Sequence, residues 1–147
     1  MQSKIVGKMI TDIYTVGYID IEDGVGTYYP DLRWIYLEFD NILLEFESYQ
    51  QYSRLRVQEV EEIRYLFEFD EDIIRAKSSI RETILVSSFL NGNIVKKVEF
   101  KDKTENDCSA VKIILENKQI IFIDPTFPYG IGIGGKEQED YWKFANS

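Results

Sequence analysis

The stretch YGIGIGGKEQ near the C-terminal end places Gly130, Gly135 and Lys136 at the G-x-x-x-x-G-K spacing of a phosphate-binding loop. Such a loop wraps an anion in backbone amides, and a serine or threonine follows the lysine to hold Mg²⁺. Here the next residue is Glu137, whose carboxylate would repel phosphate. We therefore expect no nucleotide site. We interpret the glycines as a bulge or as a point where another backbone segment approaches closely.

Histidine is absent from the chain, which removes the most common general base and the most common metal ligand. Ser-His-Asp catalysis, Cys-His catalysis and zinc sites of the usual composition are thereby excluded. The single cysteine, Cys108, follows Asp107, whose charge would raise rather than lower the pKa of the thiol. The sequence predicts no catalytic residue, no cofactor and no metal site.

Carboxylates are the remaining residues that could do chemistry. Asp20, Glu22 and Asp23 precede Gly24 in the manner of a calcium loop, but Pro30 stands where an EF-hand needs its last glutamate. A solvated acidic loop is the expectation here. A small hydrolase that uses carboxylates, with or without a metal, stays open as a third hypothesis because distances in space cannot be read from the sequence.

The elements that would position these residues follow a repeated apolar pattern. Residues 35–41 (IYLEFDN) match residues 111–117 (VKIILEN), and residues 7–13 match residues 92–98. The pattern predicts a duplication, with units at residues 7–57 and 92–133 joined by residues 58–91, inside a single domain of residues 1–147.

Each unit is predicted to contain four strands. A first strand leads through a polar loop, which is long in unit one (DIEDGVGTYYPD), to a second strand, and a hairpin leads to a third. The short fourth strand is RLRV at residues 54–57 and GIGI at residues 130–133. The glycines of unit two thus occupy the outer-face positions of Arg54 and Arg56, which is a second argument against a phosphate loop.

The joining segment, residues 58–91, has apolar patterns that fit more than one kind of secondary structure. Residues 63–69 alternate apolar and polar side chains and favour a strand, although the spacing from Val57 to Phe67 also suits a helix. Ser79 and Glu82 have capping-box spacing, which predicts a helix over residues 79–90, and a second short helix is expected at residues 136–144 with Trp142 against the sheet. The fold class is therefore α+β and β-dominant, with antiparallel hairpins in two pseudo-repeated units and one or two helices. One continuous sheet and two packed sheets are both compatible with the sequence.

The net charge of −9 limits the choice of partners. Residues 7–57 alone carry nine acids against four bases. An acidic surface repels phosphate backbones and attracts basic proteins, so we expect no nucleic-acid partner. Apolar runs are too short for a membrane span and no signal peptide is visible, so no membrane partner is expected and a cytoplasmic location is predicted. The single cysteine fits a reducing compartment.

Loop tyrosines among acidic residues are typical of protein-binding surfaces, where aromatic anchors lie inside a charged rim. Some of these tyrosines could instead cover the ends of the sheet as core aromatics. The predicted partner-binding residues are Asp20, Glu22, Asp23, Tyr28, Tyr29, Asp31, Tyr49 and Tyr52.

In overall character, a small, acidic, histidine-free chain with loop tyrosines resembles the immunity proteins of bacterial contact-dependent and polymorphic toxin systems. The resemblance implies a protein-binding module that neutralises a cognate, basic toxin domain by covering its active site or an adjacent site. The alternative from a different class is a structural, self-assembling protein, either a homodimer joined through sheet edges or a subunit of a complex.

Overall fold

The computed structural model describes residues 2–49, 53–68, 73–89, 92–125 and 130–147. Within these residues it has nine strands and three short helices. In chain order the elements are α1 (Gln2–Ile5), β1 (Ile10–Glu22), β2 (Val25–Phe39), β3 (Leu43–Tyr49), β4 (Arg54–Val60), β5 (Ile74–Ser79), α2 (Arg81–Ile84), β6 (Val95–Lys101), β7 (Ala110–Leu115), β8 (Ile120–Asp124), β9 (Gly132–Gly134) and α3 (Lys136–Ala145).

The strands form two antiparallel sheets. The first has the order β4-β3-β2-β1-β5, and the second has the order β6-β7-β8-β9. Strands β1–β4 and strands β6–β9 therefore each form a meander of four strands, and the fourth strand of each runs past the predicted ends of the units at residues 57 and 133. The β-dominant α+β fold is confirmed, and the choice that the sequence left open is decided in favour of two sheets.

One apolar core lies between the facing sides of the two sheets. Strand β7 illustrates why, since Val111, Ile113 and Leu115 alternate with Lys112 and bury one face of the strand. The core also takes Ile13, Ile35, Leu37, Leu44, Phe46 and Leu55 from the first sheet and Val95, Val98, Ile121 and Ile123 from the second. Backbone bridges join the sheets at Met9–Ile94 and at Leu55–Cys108.

Continued without a gap, the match of residues 35–41 with 111–117 sets Leu44 and Phe46 against Ile120 and Phe122, but in the structure the third strands are shifted by one residue from this register. Leu44 and Phe46 face the core in β3, whereas in β8 the core residues are Ile121 and Ile123. The reason is the turn: the Phe39 amide bonds the carbonyl of Ile42, but the Leu115 amide bonds that of Gln119, one residue further on. Phe122 is consequently turned to the outer face, where it contacts Trp142.

The predicted strand over residues 63–69 is wrong for the residues that the structure describes. Residues 61–68 have no strand structure and lie across the outer face of the first sheet, where Ile63, Tyr65 and Phe67 pack on Val16, Trp34 and Tyr36. Tyr65 has a φ of 46°, which breaks an extended conformation. The alternation of apolar residues therefore reflects packing of an irregular segment against a sheet. Phe69 lies outside the described residues.

The predicted helix over residues 79–90 is also wrong. Residues 74–79 are β5, which pairs with β1, and within the described residues 79–89 only Arg81–Ile84 is helical; Leu90 lies outside the described residues. Ser79 is not the N-cap residue of α2, which is Ile80. Ser79 pairs with Tyr14 in the sheet, and its hydroxyl donates to Asp12 at 2.5 Å and accepts from the amide of Arg81 at 3.3 Å. The C-terminal helix is confirmed as α3, and Trp142 lies against Phe122 with ring centroids 5.4 Å apart.

Gly130 explains the glycine-rich stretch. A Cβ at this position would lie 2.3 Å from the carbonyl oxygen of Leu32, and the next amide, of Ile131, donates to that same oxygen at 2.5 Å. Close backbone approach was one of the two interpretations that the sequence offered. Lys136 is paired with Asp140 at 2.8 Å. None of the described helices is long and apolar enough to cross a membrane.

Candidate protein-binding surface

The hairpin of β1 and β2 has an outer part that we call the arm, residues 18–29. Glu22 pairs with Val25, so Asp23 and Gly24 alone form the turn. Their φ values are 52° and 78°, as the primed two-residue turns of hairpins require, and Asp-Gly is among the sequences that favour such turns. The predicted long loop through residues 20–31 is therefore wrong, because the strands continue to the Asp-Gly turn.

Five of the predicted partner-binding residues lie in the arm: Asp20, Glu22, Asp23, Tyr28 and Tyr29. Burial falls along β1 from fully buried at Val16 to exposed at Asp20 and beyond. The arm thus extends past the core of the molecule, and both of its faces become open towards the turn.

Residues directly opposite each other on paired strands share a face, and alternate residues along a strand do as well. One face of the arm carries Ile19, Ile21 and Tyr28, and Ile74 of β5 lies opposite Ile19. Ile21 and Ile74 are about half exposed, at 56% and 47%. We call this set the apolar face.

The other face of the arm mixes acids with apolar groups. It carries Tyr18, Asp20 and Glu22 from β1, opposite Tyr29, Thr27 and Val25 from β2, and Arg75 of β5 lies opposite Tyr18 at the base of the arm. Val25 is 65% exposed and Tyr29 is 45% exposed. We call this set the acidic face.

The two tyrosines of the arm are held in place by the sheet. The hydroxyl of Tyr28 lies 2.9 Å from that of Thr15, and burial raises the pKa of the Tyr28 hydroxyl. The ring of Tyr29 stacks on Tyr18 with centroids 5.4 Å apart. Each tyrosine is therefore held by a contact within the sheet while part of its side chain stays accessible. Because its conformation is already restricted, it loses little conformational entropy on binding, which suits an anchor residue.

The acids of the arm have no basic partner among the residues that the structure describes. Acids elsewhere do: Arg33 bonds Asp31 at 2.7 Å, and Arg56 bonds Glu47 at 3.1 Å. Asp31 lies where β2 bulges away from β1, and its charge is matched by Arg33 within two residues. It therefore adds no net charge to the arm, contrary to the sequence-based grouping.

Tyr49 lies on a different strand, β3, and serves the structure. Its hydroxyl donates to Asp107, and the guanidinium of Arg56 lies 4.2 Å from the centre of its ring. Asp107 also accepts from Arg54 at 2.7 Å, so Tyr49 belongs to a contact that joins β3 and β4 to the loop between β6 and β7. Tyr52, the last predicted residue, lies outside the described residues.

A small cavity of about 170 Å³ lies next to this contact, lined in part by Leu55, Phe100 and Cys108. Cys108 is buried, and burial raises the pKa of its thiol to about 11. A thiol of this kind is unreactive at neutral pH. Among the described residues no group of three or more acids and cysteines is placed to hold a metal ion.

Sequence reasoning missed the apolar residues that complete the arm: Ile21, Val25 and Ile74. The available signal was the Asp-Gly turn, because it makes the flanking residues strand partners and assigns each of them to a face. A comparison with protein-family models found no match, and comparisons with curated proteins and with solved structures found no similar chain.

Proposed function

We propose that the protein is a protein-binding module that recognises a basic protein through its arm. The observation that carries the proposal is the combination, in one projecting hairpin, of exposed apolar side chains and acids that have no basic partner in the described part of the chain. Apolar anchors with a charged rim are the composition of protein-protein contact surfaces.

Within this proposal the module acts as an immunity-type inhibitor in the cytoplasm. A toxin domain that acts on a polyanion such as nucleic acid has a basic active site, and an acidic arm is complementary to it. The general resemblance to immunity proteins supports the inhibitor role. The buried, unpaired thiol of Cys108 fits the reducing environment of the cytoplasm.

Charge reversal in the arm tests the proposal. Tagged wild-type protein, Asp20→Lys/Glu22→Lys and the matched control Glu61→Lys/Glu62→Lys are used in parallel to capture partners from lysate of cells that naturally make the protein. The control changes the net charge equally, and Glu61 and Glu62 are also exposed, but they lie in the segment across the outer face of the first sheet.

We expect one stoichiometric basic partner that the wild type and the control retain and the arm variant loses. With that partner purified, the arm variant should associate about tenfold more slowly at low salt and show a weaker salt dependence. Equal association rates for the arm variant and the control, or capture of no basic protein, would contradict the proposal.

Self-assembly is the second candidate function, and the charge of the arm disfavours a contact between the arms of two copies. Two copies joined at the arm by a two-fold axis would bring Asp20, Glu22 and Asp23 of each copy close to those of the other, and like charges repel. Size-exclusion chromatography with light scattering should give a monomer. A stable dimer that the neutral variant Asp20→Asn/Glu22→Gln strengthens would favour self-assembly through the arm.

A further inference from the structure

We infer that the arm inserts into a cleft of its partner, and that this cleft has one apolar wall and one basic wall. The inference rests on the proposed function and specifies the geometry of the partner. It follows from three features of the arm: its length, its narrowing towards the turn, and the different chemistry of its two faces.

The first feature is shape. From Tyr18 to Asp23 the ribbon is about 16 Å long at roughly 3.3 Å per residue. At Ile19 it is three strands wide, because Ile74 of β5 pairs there, and beyond this point only β1 and β2 continue. A ribbon that narrows from three strands to two and ends in a two-residue turn has the shape of a wedge.

The second feature is exposure on both sides. Ile21 on the apolar face is 56% exposed, and Val25 on the acidic face is 65% exposed. A flat partner would cover only one of these side chains and leave the other in water. Only a partner with two walls removes both from solvent, and burial of apolar area is the main favourable term in association.

The third feature is the contrast between the faces. The apolar face has Ile19, Ile21 and Ile74 without a charged side chain between them, and Gly26 leaves Ile19 and Ile21 uncovered, since a Cβ there would lie 3.2 Å from Ile19. The acidic face has Tyr18 at its base, with Arg75 of β5 opposite it, and carries Asp20 and Glu22 beyond this point, where only β1 and β2 continue. Complementarity therefore requires lysines or arginines on one wall of the cleft and aliphatic or aromatic residues on the other.

Site-specific crosslinking tests the insertion. Cys108 is buried, so a cysteine introduced on the surface is labelled selectively with a benzophenone maleimide. Ile21→Cys probes the apolar face, Val25→Cys probes the acidic face, and Val86→Cys, at an 84% exposed position outside the arm, is the control. Circular dichroism and thermal melts confirm that the labelled variants are folded before they are mixed with lysate and irradiated.

The expected result is that positions 21 and 25 both crosslink to the same basic protein and position 86 does not. Crosslinks from only one face would overturn the insertion and leave the protein-binding proposal intact. Crosslinks from neither face, or crosslinks to a second copy of this chain, would overturn both.

Binding kinetics with the crosslinked partner separate the two walls. Ile21→Thr should raise the dissociation rate at least fivefold and leave the salt dependence of association unchanged, because it removes only apolar contact. Glu22→Gln should instead lower the association rate and its salt dependence. A dissociation rate that Ile21→Thr leaves unchanged would contradict the apolar wall.

Discussion

The outer face of each sheet is covered by another segment of the chain, and a buried acid pairs with a base between the sheet and that segment. The two sheets differ in which side of the contact carries the acid. A row of paired residues crosses the first sheet as Tyr14, Tyr36, Glu45 and Gln58. The corresponding row of the second sheet is Glu99, Lys112, Phe122 and Gly134. In the first sheet the buried acid belongs to the sheet, and Arg64 comes from the covering segment of residues 61–68. In the second sheet the buried acid, Glu139, belongs to the covering helix α3, and Lys112 comes from the sheet.

The two buried carboxylates differ in how completely they are bonded. Glu45 accepts from Tyr36, Gln58 and twice from Arg64. Glu139 has Lys112 at 3.0 Å, with Lys136 and Lys143 further away, but neither of its oxygens makes a well-directed hydrogen bond within the described part of the chain. We call residues 61–68 the first cover and α3 the second cover. An arginine fork and fixed donors therefore hold the first cover more rigidly than lysine ammonium groups hold the second cover.

The largest expected effect is that of removing Glu45. Glu45→Ala leaves the buried hydroxyl of Tyr36 and part of Arg64 without an acceptor, so we expect the free energy of unfolding to fall by about 3–5 kcal/mol. Glu139→Ala should cost less, about 1–3 kcal/mol, because lysine ammonium groups can reach water on their flexible stems. Urea denaturation measures both, with Glu59→Ala, an exposed acid paired with Lys4, as the control. Equal losses of unfolding free energy for Glu45→Ala and Glu139→Ala would contradict the expected difference between the two carboxylates.

A side chain in place of Gly134 should separate α3 from the second sheet. A Cβ there would lie 3.0 Å from the Cβ of Gln138, so Gly134→Val crowds the helix and should cost about 1–3 kcal/mol. Arg56→Val on the outer strand of the first sheet is the comparison, and it should cost less than about 1 kcal/mol because its ion pair with Glu47 is partly exposed. Chemical denaturation gives both values. If Gly134→Val lowers the free energy of unfolding no more than Arg56→Val does, packing of α3 does not depend on the close approach at Gly134.

Acid should release the two covers at different pH values. Burial alone would raise the pKa of Glu45 and of Glu139, but Arg64 with Tyr36 and Gln58 in one case, and Lys112 in the other, hold each pKa below its ordinary value. Each carboxylate therefore stabilises the fold above the unfolded pKa of about 4.3, and this contribution is lost as pH falls through the lowered folded pKa. Because Glu45 has more directed donors, we expect α3 to detach first on acidification.

The two tryptophans allow this order to be observed. Trp34 packs under the segment of residues 61–68, and Trp142 lies in α3 against Phe122. Trp34→Phe leaves a fluorophore that reports α3, and Trp142→Phe leaves one that reports the first cover. Coincident acid transitions in the two variants would show that the covers are released together.

The smallest effect should come from Lys143. Its ammonium lies 3.7 Å from Glu139 and its side chain is 55% exposed, so Lys143→Gln should change stability by less than about 0.5 kcal/mol. Thermal melts compared with Lys112→Gln measure it. A larger loss at Lys143 than at Lys112 would show that the acid depends on its more distant partners.

Strand content and α3 were predictable because alternation and helical spacing report burial directly. Val111, Ile113 and Leu115 illustrate this. The covers were not predictable, because Ile63, Tyr65 and Phe67 alternate in the same way whether they form a strand or lie across one. The buried pairing of Glu45 with Arg64 joins residues whose neighbourhood depends on the fold and on no local pattern. The duplication remains a prediction, which the two meanders agree with in topology.

The arm shows a similar division. Its acids and its tyrosines were identified from composition, but their arrangement required the register that the Asp23-Gly24 turn sets. Asp31 and Tyr49 were grouped with them because composition does not reveal partners such as Arg33 and Asp107. Exposed apolar residues such as Ile21 resemble core residues in the sequence and can be recognised only when the extent of the core is known.

The backbone bridge between Met9 and Ile94 has a consequence for synthesis of the chain. Its two residues are separated by about 85 residues, which a ribosome adds in roughly 4–17 s at 5–20 residues per second. Within this interval the first sheet becomes complete in sequence only when Ser79 is added, and from then until Val95 and the later strands of the second sheet are made, the side chains that cover its inner face are missing. Ile35, Leu37 and Phe46 therefore stay uncovered until the second sheet is made, and net negative charge of the kind this chain carries disfavours association of such exposed surfaces.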